Sequence, residues 1–293
     1  MKSRNVLISG AGIAGPALAY WLRRHGFTPV VVEQAPAPRR GGHAVDVRGT
    51  ALEVAERMGI LAEVRAARTD LRGMSVVDGT GAEVMRTTEG TFTGGRFDGP
   101  NVEILREDLV RILLDRTAGE VEYVFGDSIT ALEQDARGVR VAFERAAPRR
   151  VDLVIGADGV HSAVRRLVFG PDREYVHRLG TYLGIFTTDN VLGLDRWQLW
   201  YRNGDLGCAV YPARGNTELR VFLAAPDALF DGDPRDPEQG KRFLAERFAE
   251  AGWEIPRLLK AMWEGRDCYF DAVSQVRMDR WWNGRVALLG DAG

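Results

Sequence analysis

Apolar and polar positions alternate with two different periods along this chain, and the points where the period changes outline its elements. Residues 5–9 (Asn-Val-Leu-Ile-Ser) make a short continuous apolar run, as a strand buried on both faces does. A glycine-rich turn follows. The 3.6-residue period then predicts a helix over about 14–25, with Ala17, Leu18, Trp21 and Leu22 on one face. Thr28–Glu33 is a second β-branched run, so strand, turn, helix and strand fit within the length of one βαβ unit. Further helices are predicted near 50–58, 107–117, 238–251 and 256–264. Strands are predicted at 120–125, 139–143, 151–155, 181–187, 196–202, 207–212, 217–224, 267–277 and 285–289, with short strands in the glycine-rich stretch 71–97.

Parallel-type elements at both ends of the chain and a long all-strand block in its middle imply an α/β fold with interleaved domains. A Rossmann-like domain is expected to use 1–70, 98–175 and 277–293, and a β-sheet domain 71–97 and 176–276.

Composition narrows the functional classes. Thirty-nine basic against 41 acidic residues give a net charge of −2, which offers no basic field for nucleic acid or an anionic membrane. No apolar run approaches the roughly 20 residues of a membrane span. Met1–Arg4 and the apolar residues behind them imitate a leader peptide, but Gly10, Gly12, Gly15 and Pro16 break that stretch. Cys208 and Cys268 form neither a disulfide framework nor a metal spacing, and the four histidines show no ligand spacing, so no metal site and a reducing cytoplasm are expected.

The candidate chemistry lies in three motifs. Gly10-Ala11-Gly12-Ile13-Ala14-Gly15 follows a strand and opens a helix, and Glu33 ends the next strand. Such a turn allows a sharp exit from the strand, close approach of a pyrophosphate to the backbone at Gly12, and tight helix–strand packing at Gly15. Phosphates are then favoured at the helix N-terminus, and Glu33 is placed to accept from a ribose diol. Asp152–Gly159 and Val286–Ala292 each repeat strand, glycine, aspartate, with Asp158 and Gly290-Asp291 at the turns, and Ser162, Arg165 and Arg166 follow the first.

With these motifs the sequence resembles the single-component FAD-dependent aromatic hydroxylases, the family of p-hydroxybenzoate hydroxylase, and within it the tetracycline-inactivating and polyketide-modifying monooxygenases. Gly42–Gly49, Arg96-Phe97-Asp98 and Glu103–Leu109 carry the likeness further. The resemblance implies FAD as cofactor, NADPH or NADH as transient reductant, and molecular oxygen with an aromatic or polyketide-like small molecule as substrates. A flavin hydroperoxide would deliver the oxygen. It implies that Glu33 holds the adenosine ribose with Gln34 beside the adenine. Arg106 would reach the FAD linker and Asp46 and Arg48 the flavin. Asp158 would serve FAD and nicotinamide, and Asp291 the ribityl or pyrophosphate region. Gln198 stands about where the tetracycline-acting relatives place a substrate-contacting glutamine. Alternation puts Arg196, Gln198 and Trp200 on one face of their strand and Trp197, Leu199 and Tyr201 on the other.

Family members continue past the Gly-Asp motif into a helix facing the flavin, so a C-terminal part is expected to be absent here. Three alternatives stay open: a flavoprotein that moves hydride without inserting oxygen, a chain that binds FAD or a partner without catalysis, and a halogenase. The last is suggested only by Gly252-Trp253-Glu254-Ile255-Pro256.

Overall fold

Val6, Leu7 and Ile8 expose almost no surface because the strand they form, β1 (Asn5–Ser9), is covered on both faces. In the computed structural model, which describes residues 4–39, 41–233, 236–265 and 267–293, β1 pairs in parallel with β2 (Thr28–Glu33) and with β13 (Leu153–Gly156). Met1–Ser3, at the head of the leader-like stretch, lie outside those residues. The sheet continues to β9 (Glu122–Phe125) beyond β2 and to β20 (Val286–Leu288) beyond β13, both parallel, and ends in the antiparallel β19 (Trp282–Asn283).

One face of this sheet is covered by α1 (Ala14–Arg24), which packs Ala19 and Leu18 onto Val6, Ile8 and Val31. Beside α1 runs α4 (Arg106–Thr117), whose Arg116 lies over the Tyr20 ring. The other face buries Leu7, Val32, Val154 and Val286 against a second, antiparallel sheet. That sheet consists of β10 (Ile129–Asp135), β11 (Gly138–Phe143) and β12 (Arg149–Val151), and α5 (Ala163–Val168) joins it. The run expected as one strand at 151–155 is therefore two. Val151 pairs antiparallel with Val139, whereas Leu153 starts the parallel pairing with Val6.

The second unit is built on a seven-stranded sheet in the order β18-β14-β17-β16-β15-β4-β5. Its strands are β4 (Gly73–Val77), β5 (Glu83–Thr87), β14 (Val176–Asp189), β15 (Trp197–Asn203), β16 (Leu206–Ala213), β17 (Glu218–Pro226) and β18 (Cys268–Val276). Antiparallel pairing carries two-residue alternation, so Tyr182, Phe186, Tyr201, Cys208, Val210, Leu219, Val221 and Leu223 all face α6 (Pro237–Arg247) and α7 (Ile255–Glu264). Trp253, just before α7, stacks on Tyr201 at 5.4 Å, which gives the halogenase-like segment a packing role. A ribbon of β3 (Ala44–Val47) and β8 (Val102–Leu105), a hairpin of β6 (Gly90–Thr91) and β7 (Gly95–Arg96), and helices α2 (Thr50–Met58) and α3 (Leu61–Ala66) complete this unit.

Compactness divides the chain into 1–40, 107–177 and 274–293 on one side and 41–106 and 178–273 on the other. This differs from the division read in the sequence, which gave 41–70 and 98–106 to the dinucleotide domain. The reason is pairing at a distance. Among the described residues β3 pairs only with β8, and the Tyr211 hydroxyl of β16 accepts a 2.8 Å hydrogen bond from the Ala44 amide.

Candidate functional site

The turn after β1 is built by glycine. Gly10 sits at φ +108°, where an L side chain is strained, and a Cβ there would collide with the Ala157 carbonyl. A Cβ at Gly15 would strike the Gly10 carbonyl, so the first turn of α1 lies tight against the strand end. Ile13, the N-cap of α1, makes no side-chain capping bond, and the first turn holds no acidic residue. The leading N–H groups of α1, at Ala14 and Gly15, thus meet no carboxylate of the chain's own, which is the condition for an anion to dock there.

Glu33 closes the other wall of this turn. Its Oε2 accepts from the Ala11 amide and its Oε1 from the Ala35 amide, each at 2.9 Å. A carboxylate has about four lone-pair sites, so two remain for hydroxyl donors. Gln34 beside it is exposed. The glycine turn, the uncapped helix and this half-spent carboxylate fit the pyrophosphate and ribose of a dinucleotide.

Asp158 and Gly290-Asp291 emerge at the carboxyl ends of β13 and β20, on the same edge as the glycine turn because all three strands are parallel. They differ in how far they are engaged. Asp158 is nearly spent within the chain. Its Oδ1 accepts from Ser162, and its Oδ2 from Ser9 (3.2 Å) and from the amides of Ala163 (2.9 Å) and Val164 (3.2 Å). It ties β1 to the start of α5. Asp291 is exposed, and a Cβ at Gly290 would rest in ordinary contact, 3.5 Å, with that of Ala14. Arg165, wholly buried, fixes this turn. Its guanidinium donates to the Ala292 carbonyl at 3.0 Å, to the Val160 carbonyl, and to Asp172 at 2.7 Å. The motif pointed to Arg165 without showing that it braces the Gly290–Ala292 turn.

The remaining candidates belong to the second unit. Asp46 and Arg48 leave the end of the β3 ribbon joined by a 2.9 Å ion pair. Burial pushes the Asp46 carboxyl above its ordinary value, and Arg48 partly counters this. Asp46 Oδ1 is buried without a partner. Directly across the ribbon stands Glu103, also pushed upward by burial and by the charge of Asp46, although the Thr69 hydroxyl donates to it at 2.8 Å. Two acids at one register position are a signal visible only once the pairing is known. Arg106 follows β8, and its amide donates to the His43 carbonyl at 2.9 Å. Burial, helped by the Arg106 charge, holds the His43 imidazole below its ordinary value and so neutral.

Gln198 faces away from α6 and α7, opposite to Tyr201, as the alternation requires. Only 2% of it is exposed, and its Oε1 has no hydrogen-bond partner; nor has Trp200 Nε1 on the same face. Such unspent polar atoms are uncommon in folded chains and suit a ligand. Arg196 departs from the expected alternation. It lies before β15 at φ +53° and pairs with Asp70 at 2.5 Å. Among the described residues no helix is long and apolar enough to cross a membrane, and no cluster of His, Cys, Asp and Glu is placed for a metal.

The family model described as an FAD binding domain matches residues 3–293. An uncharacterized protein of Mycobacterium tuberculosis is 52% identical over 290 residues, covering 99% of this chain and 78% of its own. A flavin-dependent monooxygenase of Legionella longbeachae is 40% identical, covering 100% of this chain and 74% of its own. The crystal structure of tetracycline destructase Tet(51) superimposes with a TM-score of 0.88 at 36% identity, covering 99% of this chain and 75% of that one.

Proposed function

The chain belongs to the FAD-binding-domain family of flavin-dependent monooxygenases, and from that premise we propose that it hydroxylates an aromatic or polyketide-like small molecule at the expense of NADPH or NADH. The observation that carries the reading is the anion-ready first turn of α1 with the Glu33 carboxylate beside it. When bound, the flavin supplies the redox chemistry: it takes two electrons from the nicotinamide and lets dioxygen give one atom to the substrate and the other to water.

The chain's own residues bind and orient. The amides of Ala14 and Gly15, in the glycine turn with Gly10, Gly12 and Ile13, hold the pyrophosphate by helix dipole and hydrogen bonds. Glu33 accepts from the ribose hydroxyls, with Gln34 at the adenine. Asp291, free at its strand end, accepts from a polyol hydroxyl, and Asp158 acts indirectly by fixing the start of α5. Arg48 and Arg106 are the cations that the family resemblance assigns to the cofactor. Asp46 keeps Arg48 in place, and Gln198 offers Oε1 to the substrate. The two free cysteines, far apart in sequence, favour a cytoplasmic site of action.

The test is isotopic. With NADPH, 18O2 and a panel of phenols and polyketides, product carrying one 18O atom is expected. Flavin reduction followed only by unlabelled product would favour the hydride-transfer reading. A colourless protein that takes up no added FAD would favour binding without catalysis.

A further inference from the structure

The second unit contains a cavity of about 350 Å³ between the 68–72 segment, the β6–β7 hairpin and the start of β8. That volume lies in the range of small-molecule sites, about 300–1,000 Å³. Asp46, Arg48, Arg106 and Gln198 do not line it.

Its wall has two kinds of arginine. Arg96 is clamped by Asp98 through two bonds of 2.9 and 2.8 Å, and Arg196 by Asp70 at 2.5 Å, so the chain's own carboxylates already use their charge. Arg68 and Arg72 are exposed on the same wall, and neither forms an ion pair among the described residues. The one acid deep in the wall is Glu103. Burial pushes its carboxyl above the ordinary value, which lessens the charge it presents to an anion. Leu71, Val102 and the Phe97 ring, 36% exposed, give the cavity an apolar side.

We propose that this cavity binds a small organic acid, its carboxylate held by the guanidinium forks of Arg68 and Arg72 and its apolar body resting on Leu71, Val102 and Phe97. Arginine suits the task because its planar donors match a carboxylate two at a time. The proposal does not depend on the flavin assignment, since every lining residue lies in the second unit.

Calorimetric titration of the full chain with benzoate, and with inorganic phosphate as a second probe, tests it. Benzoate is expected to bind at one site. Arg68→Ala with Arg72→Ala should weaken it about tenfold or more, as the loss of charge-assisted hydrogen bonds does. Phe97→Ala should weaken benzoate and leave phosphate unchanged, and it serves as the independent variant should the double substitution disturb folding. Gln198→Ala should leave benzoate binding intact. The proposal is overturned if benzoate does not bind, or if its affinity survives loss of both arginines. Equal binding of phosphate and benzoate also overturns it, because the apolar wall then contributes nothing. So does benzoate binding that is lost with Gln198 alone, which would place the ligand at Gln198 and not in this cavity.

Discussion

The glycine turn of the first unit and the Gln198 face of the second are both candidate ligand surfaces, yet they are specified in opposite ways. The turn is largely local: Gly10 to Gly15 and Glu33 lie within one βαβ unit, and apart from the close approach of Gly10 to Ala157 each residue's role follows from its neighbours in sequence. The Gln198 face is assembled from strands far apart in the chain, in which β15 pairs in parallel with β4, more than a hundred residues earlier. A local motif keeps its meaning in any fold that contains it. A face on a sheet acquires meaning only from register, because a slip of one residue would turn Gln198 toward the helices.

Substitutions can break that contrast, and the largest effect should come from a residue of the first unit that acts at long range. Arg165→Ala removes a wholly buried guanidinium and strands the Ala292 and Val160 carbonyls, while Asp172 keeps Arg166 at 3.1 Å. Each stranded carbonyl costs about 1–3 kcal/mol, and the loss is read as a fall in urea midpoint together with flavin content. Unchanged flavin content in a destabilised but folded variant would show that the Gly290–Ala292 turn is not needed for FAD.

Gly15→Ala comes next. Its Cβ meets the Gly10 carbonyl, and the expected cost is at the upper end of about 1–3 kcal/mol. Flavin content should fall more steeply than stability, because the helix end must back away from the turn. A variant that keeps wild-type flavin absorbance would separate the turn from the cofactor.

Tyr211→Phe probes the long-range side of the comparison. It leaves the Ala44 amide without its acceptor, at about 1 kcal/mol. Hydrogen exchange at the β3–β8 ribbon should quicken while the β1–β2 amides stay unchanged. Equal acceleration in both places would contradict the division into separately stabilised units.

The smallest effect is one of pH. Glu103 and Asp46 are both raised by burial, so their protonated forms are favoured in the folded chain. The stability this contributes is complete below their ordinary values of 4.5 and 3.8 and is lost as pH rises through the elevated folded values. Urea midpoints should therefore decline above pH 4.5 in the wild type and decline less in Glu103→Gln. Parallel curves for the two proteins would mean that the pair does not titrate in this window.

The sequence by itself determined what short-range stereochemistry dictates. It marked the βαβ unit, because only glycine tolerates the backbone at Gly10 and the contact at Gly15. It marked the strand ends that carry Asp158 and Asp291, and the alternation that turns Gln198 away from Tyr201. Tertiary structure alone decided the rest. It assigned 41–70 and 98–106 to the second unit through pairing of β3 with β8. It used up Asp158 on Ser9 and the start of α5, and it set Glu103 opposite Asp46. It also turned Arg196 out of its strand, clamped it on Asp70, and left Arg68 and Arg72 bare on a cavity wall. The physical reason is common to all of these. The positive φ at Gly10 and the contact of Gly15 with Gly10 are set within a few residues, whereas the partner of a carboxylate or a guanidinium is whichever group the register of distant strands brings within hydrogen-bonding reach.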